Sequence, residues 1–186
     1  TFANVGGVDE RTLPSTEVTV HGKEDLWGVI GIKPNYLLEQ GKTAKLKELA
    51  VDTGLSAEKV KELVAVGDSI TLAQSVGRLG KKQFSGKSLD DRASVAAIIR
   101  VMKNIKDLDI DIDVYAVAAV QEEVGCRGGK TTAYGVNPDM AVAIDVCHGI
   151  TPDNSDNAFE VGTGTVLSVG PNLHPKLTDE LFAVSK

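Results

Sequence analysis

The sequence predicts an α/β protein in two parts. Residues 1–82 read as a small β-barrel-like domain, and residues 83–186 as part of an α/β domain with a mixed sheet and flanking helices. Three observations carry this. Short runs of alternating apolar and polar residues, punctuated by glycine, fill the first part. Helical and strand-like apolar runs alternate through the second. Hydrophobic residues make up 42% of the 186-residue chain, enough to build a core.

In the first part, residues 17–21, 27–32, 46–51 and 69–72 read as strands, because β-branched and large apolar residues recur in them between turn-forming glycine and aspartate. A helix interrupts them. Ser56 can cap its free N–H groups, and Glu58 sits in the first turn, where the helix dipole favours a carboxylate. Val60, Leu63 and Val64 recur at helical spacing before Gly67 and Asp68 end the segment.

In the second part, Val95, Ile98, Ile99 and Met102 recur at helical spacing over residues 91–106. Residues 114–120 then form a short continuous apolar run, which suits a parallel strand covered on both faces. A glycine-flanked helical segment near Thr131 leads to a second such run at 140–145, and 161–169 gives a further strand. Pro175 opens a helix over 176–184, since a first turn has no use for the N–H that proline lacks.

The chemistry gathers where the 114–120 run meets a glycine-rich turn, Gln121-Glu122-Glu123-Val124-Gly125-Cys126-Arg127-Gly128-Gly129. Adjacent side chains on extended backbone point to opposite sides, so the two carboxylates suit two separate roles. One can bind a metal while the other faces a substrate as general base. A solvated pair at a strand end would satisfy the same residues. Asp90-Asp91 precedes the first helix of this part and Asp145 ends the 140–145 run. Parallel strands end on one edge, so carboxylates from separate loops can converge there, and such convergence calls for cations because like charges repel. Taken singly, Asp91 reads more readily as a helix cap and Asp145 as a solvated strand end.

Composition narrows the partners. A net charge of −6 argues against nucleic acid or an anionic membrane as the main partner, and no stretch has membrane-spanning length. The start, Thr1-Phe2-Ala3-Asn4, has neither the basic region nor the apolar core of a secretion signal, and its lack of Met points to a piece of something longer. Cys126 and Cys147 have no paired spacing and are expected to be reduced thiols in a cytoplasmic protein. Aromatic residues are only 4% of the chain, leaving few stacking platforms for sugars.

Gly6-Gly7-Val8-Asp9-Glu10-Arg11 and Gly28-Val29-Ile30-Gly31-Ile32-Lys33-Pro34 resemble the inserted barrel domain of the TET-type metallo-aminopeptidases, also called deblocking or glutamyl aminopeptidases and sometimes labelled endoglucanase or cellulase M. Gly86-Lys87-Ser88-Leu89-Asp90-Asp91-Arg92, Glu122-Glu123-Val124-Gly125-Cys126-Arg127-Gly128, Ala143-Ile144-Asp145-Val146 and Gly170-Pro171-Asn172-Leu173-His174-Pro175 resemble its catalytic domain. The resemblance runs over nearly the whole chain.

It implies an enzyme that removes N-terminal residues from peptides with two divalent metal ions, zinc or cobalt, and that forms a homo-oligomer. By position it makes Asp90 the carboxylate bridging the metals, Glu123 and Asp145 terminal ligands, and Glu122 the general base. Two further family ligands are histidines, one upstream of the inserted domain and one near the C-terminus. His21, His148 and His174 match neither, so each is expected to play a structural or surface role, and the chain alone is expected to be inactive. Two other classes remain: a glycosidase working through Glu122 and Asp145, which the scarce aromatics disfavour, and a non-catalytic assembly module built on the barrel.

Overall fold

A computed structural model describes residues 1–34, 36 and 44–185, and statements of absence below refer to these described residues. The fold is mixed α/β with antiparallel sheets. Two compact units are present, Thr1–Ala141 and Val142–Lys186.

In the first unit, β1 (Glu17–His21), β2 (Asp25–Gly31), β3 (Ala50–Asp52) and β4 (Ser69–Leu72) form one antiparallel sheet in the order β3-β2-β1-β4. The alternation in β1 turns Val18 and Val20 inward, opposite Gly28 and Leu26 of β2 and Leu72 and Ile70 of β4. Leu13, Val18, Ile30, Ala44 and Leu49 make the core, with Phe2, Leu46, Val51, Ile70 and Leu72 packed against it. Val18 and Leu49 are fully buried, and burying a side chain of this kind contributes about 1.5–3 kcal/mol.

The ends of this sheet are held by side chains. His21 Nδ1 lies 2.7 Å from Asp25 Oδ1 across the β1–β2 turn, and its Nε2 lies 2.9 Å from Thr71 Oγ1 on β4. One imidazole thus ties three strand positions, in keeping with a structural role for His21. Helix α1 (Ala57–Leu63) starts where Ser56 Oγ accepts the Lys59 N–H at 3.3 Å. The carboxyl of Glu58 is held below its usual range, first by its own backbone N–H and then by the Ser56 hydroxyl.

Residues 46–51 depart from the expected strand. Leu46–Glu48 is a 3-10 turn, and pairing begins only at Ala50. Here side chains take the donors that a ladder would have used: Glu48 Oε2 accepts the Lys45 N–H at 2.8 Å and Glu10 Oε2 the Leu46 N–H at 3.1 Å. Beyond the sheet, β5 (Gly77–Leu79) and β6 (Gln83–Ser85) form a hairpin that periodicity does not announce, with the Arg78 guanidinium 5.6 Å from the Phe84 ring centre.

Three expected helices are present. They are α2 (Leu89–Ile105), α3 (Arg127–Val136) and α4 (Pro175–Val184), the last with Pro175 in its first turn and His174 Nδ1 accepting the Leu177 N–H at 3.4 Å. The expected strands do not form: residues 114–120, 140–145 and 161–169 carry no ladder. A strand is made by its partners, because each edge must place its N–H and C=O groups. These runs have none among the described residues, and their large apolar side chains stay exposed, Val120 and Met140 each at 71%. On one side, residues Ala116, Val117 and Ala118 line an apolar groove with Val95, Ile98 and Ile99 of α2.

Candidate active site

The turn after residue 120 is built by three left-handed residues. Gln121 (φ 55°) and Cys126 (φ 54°) flank it, and Gly125 (φ 111°) lies between Cys126 and the short 3-10 turn Glu122–Val124. The Gly125 position needs glycine, since a Cβ at that φ clashes with its own backbone. For Gln121 and Cys126 the left-handed region costs about 1–2 kcal/mol each, which the hydrogen bonds of the turn offset.

Those bonds converge on the carbonyl of Glu122, which accepts the N–H groups of Gly125 at 3.0 Å and Cys126 at 2.8 Å. The Gln121 and Val120 carbonyls accept the N–H groups of Arg127 at 3.3 Å and Gly128 at 2.8 Å, and this folds α3 back against the end of the 114–120 segment. Arg127 Nη1 also donates to Gln121 Oε1 at 3.3 Å.

Glu122 and Glu123 are exposed at the head of this turn. The Glu122 side chain is not loose: its Oε1 accepts the Cys126 S–H, with Sγ 3.1 Å away. The N-terminal segment comes up to the same turn, since a Cβ on Gly6 would lie 3.7 Å from the Glu123 carbonyl oxygen.

Asp90 and Asp91 stand at the start of α2 in non-helical conformations, and the peptide bond between them is cis. Asp91 Oδ1 accepts the Ser94 N–H at 2.9 Å, so it caps the regular part of the helix. That leaves Asp90 as the exposed carboxylate of the pair. Asp145 lies in the second unit, exposed, with its Oδ1 accepting the Val146 N–H at 2.8 Å. His148 offers its backbone carbonyl to the Phe159 N–H at 2.9 Å.

Asp90, Glu123 and Asp145 have the oxygen donors that divalent cations prefer. Among the described residues no three His, Cys, Asp or Glu side chains are grouped so as to hold a metal ion. Glu122 and Glu123 are neighbours in the chain, while Asp90 lies at the start of α2 and Asp145 in the second unit. Sequence reasoning passed over Cys126 as a plain reduced thiol. Its spacing of four from Glu122 across a glycine was the signal, since a tight turn brings such positions together.

The family model described as M42 glutamyl aminopeptidase matches residues 1–186. The lysyl aminopeptidase of Pyrococcus furiosus is 31% identical over 190 residues, spanning 98% of this chain and 54% of that protein. An aminopeptidase from the archaeon Desulfurococcus kamchatkensis superposes with a TM-score of 0.84 at 36% identity, over 97% of this chain and 53% of its own. The TET1 peptidase of Pyrococcus horikoshii, which can assemble into a tetrahedron or a large octahedral shell, gives 0.81 at 30% identity over 97% and 56%. The chain spans about half the length of these relatives.

Proposed function

The chain belongs to the M42 glutamyl aminopeptidase family, and from that premise we propose that the protein it forms is a metal-dependent aminopeptidase in which Glu122 is the general base. The observation that supports this most directly is the family match over residues 1–186, which includes the turn holding Glu122 and Glu123 side by side. Two similar proteins, from Pyrococcus furiosus and Desulfurococcus kamchatkensis, are themselves named aminopeptidases.

In this reading, a water oxygen attacks the carbonyl carbon of the first peptide bond while Glu122 takes the water's proton. As the C–N bond breaks, Glu122 passes that proton to the departing amine, leaving a free amino acid and a shortened peptide. Glu122 suits the task because it is exposed to a substrate while its backbone is held by two hydrogen bonds. Asp90, Glu123 and Asp145 are the residues that would hold divalent metal, zinc or cobalt, in the complete protein. The shell they leave open calls for further ligands. Metal ions held there would polarise the scissile carbonyl.

The proposal extends to organisation. Residues 1–82 form the assembly domain, barrel-like as the sequence suggests, and residues 83–186 contribute to the catalytic domain of a cytoplasmic homo-oligomer acting on peptides. The shells built by the Pyrococcus horikoshii relative support the oligomer. Residues 1–186 by themselves are proposed to be inactive, since three carboxylates do not close two metal shells.

The test is Glu122→Gln in the complete enzyme, assayed on amino-acid p-nitroanilides and on peptides with free or acetylated N-termini. Wild type should cleave only free N-termini and lose activity with chelator. The variant should keep its metal and lose roughly a hundredfold or more in rate. Loss of metal in the variant would mean that Glu122 and Glu123 have exchanged roles, and cellulose cleavage that survives chelation would favour a glycosidase.

A further inference from the structure

We propose that Cys126 is a positioning residue for Glu122, its S–H holding one carboxylate oxygen so that the other faces the substrate. The inference rests on the reading of Glu122 as general base. A glutamate side chain turns about three bonds, whereas a general base must stand within about 2.6–3.2 Å of the proton it takes. Free rotation at an exposed site would spread the carboxylate over many positions. Here Oε1 is fixed by the Cys126 thiol at 3.1 Å, which leaves Oε2 for the reacting water.

The thiol is itself fixed. Cys126 is held in the left-handed region at φ 54°, its N–H donates to the Glu122 carbonyl at 2.8 Å, and it begins α3. The same two residues are therefore joined twice, once through backbone and once through side chains. A non-glycine residue in that conformation persists where the surroundings determine it, and strain of this kind gathers at functional sites. The chemistry suits the role, because a thiol is a weak donor that carries no charge of its own when protonated. Cys147, the second thiol, is also exposed and unbridged and serves as an internal reference.

The experiment uses the complete enzyme and two readouts. In steady-state kinetics, Cys126→Ala should lower kcat by about tenfold with KM changed by less than about twofold, the size expected when one hydrogen bond to a charged group is lost. Cys126→Ser, which keeps a donor at the same place, should recover most of that loss. In Raman spectra, the S–H stretch of Cys126 should lie below that of Cys147 and should move up to it in Glu122→Ala. Unchanged kcat in Cys126→Ala, a serine variant no better than alanine, or coincident S–H bands in the wild type would each overturn the positioning role. Those results leave the general-base reading intact so long as Glu122→Gln is inactive in the same assay. Turnover retained by Glu122→Gln would overturn both.

Discussion

Gly128 is wedged against Val120: its N–H donates to the Val120 carbonyl at 2.8 Å, and a Cβ on Gly128 would stand 2.5 Å from both the nitrogen and the oxygen of Val120. Gly128 is buried at the first turn of α3, so the contact fixes how the helix leaves the turn that carries Glu122 and Glu123. Backbone atoms cannot step aside as a flexible side chain can. Gly128→Ala should therefore lower stability by about 1–3 kcal/mol, as overpacking does elsewhere. Gly129→Ala is the control, because no atom lies within 4 Å of a Cβ there, and it should be neutral or gain up to about 1 kcal/mol from helix propensity. Urea denaturation of the two variants beside the wild type checks the pair. Equal effects would mean that the turn is softer than its geometry implies.

A second expectation concerns Ser56. Its hydroxyl oxygen accepts the Lys59 N–H at the start of α1, a helix of seven residues with few other means of satisfying its first donors. Ser56→Ala should cost about 1 kcal/mol, and Ser56→Asp should retain most of the wild-type stability. Thermal unfolding followed by circular dichroism gives the comparison. A Ser56→Asp variant as weak as alanine would show that the cap is incidental.

The ion pair of Asp9 and Arg11 gives a pH dependence. Arg11 Nε and Nη2 donate to the Asp9 carboxylate at 2.7–3.1 Å, and its backbone N–H donates to Oδ1 at 3.0 Å. The Arg11 side chain first, and its backbone N–H second, bring the Asp9 pKa down to about 2 from an ordinary 3.8. A depressed carboxyl stabilises the fold above its unfolded pKa. Its contribution should be complete above about pH 4 and fade as pH falls through about 2. Both side chains are exposed, so salt should weaken the effect. Carboxyl NMR of Asp9 tests it: Arg11→Ala should return the midpoint towards 3.8, and an unmoved midpoint would remove Arg11 as the cause.

What could be read in the sequence follows from where the determining interactions lie. β1 and β4 fall on the expected residues because their alternation and flanking turns are local. Ser56, Pro175 and the spacing from Val95 to Met102 mark helices for the same reason, since caps and periodicity act within a few residues. Residues 46–51 misled because Glu10, thirty-six positions away, takes the Leu46 N–H. Residues 114–120 and 140–145 misled more deeply. Their apolar runs state that they can be buried, but only a partner strand makes a strand. At the site, the glutamate pair and Asp90 could be picked out as chemistry-bearing residues. Asp91 is legible as a helix cap from its place before the apolar helical pattern, and its bond to the Ser94 N–H agrees with that reading. The bond between Cys126 and Glu122 depends instead on backbone dihedrals that composition does not reveal.

The carboxylates also set an expectation for metal. Residues 1–186 on their own should bind fewer than two divalent ions tightly, although three of their side chains are proposed ligands. A tightly held ion such as zinc takes about four ligands, and no group of even three forms among the described residues. Asp145 gives one oxygen to the Val146 N–H and keeps the other, while His174 Nδ1 caps α4. Equilibrating the chain with zinc or cobalt, removing the free ion and counting metal per chain decides the matter, with the cobalt spectrum reporting the ligand geometry. One weakly held ion or none is expected, and p-nitroanilide turnover should be absent. Two ions retained through gel filtration would overturn the expectation and would mean that His148 or His174 supplies the further ligation.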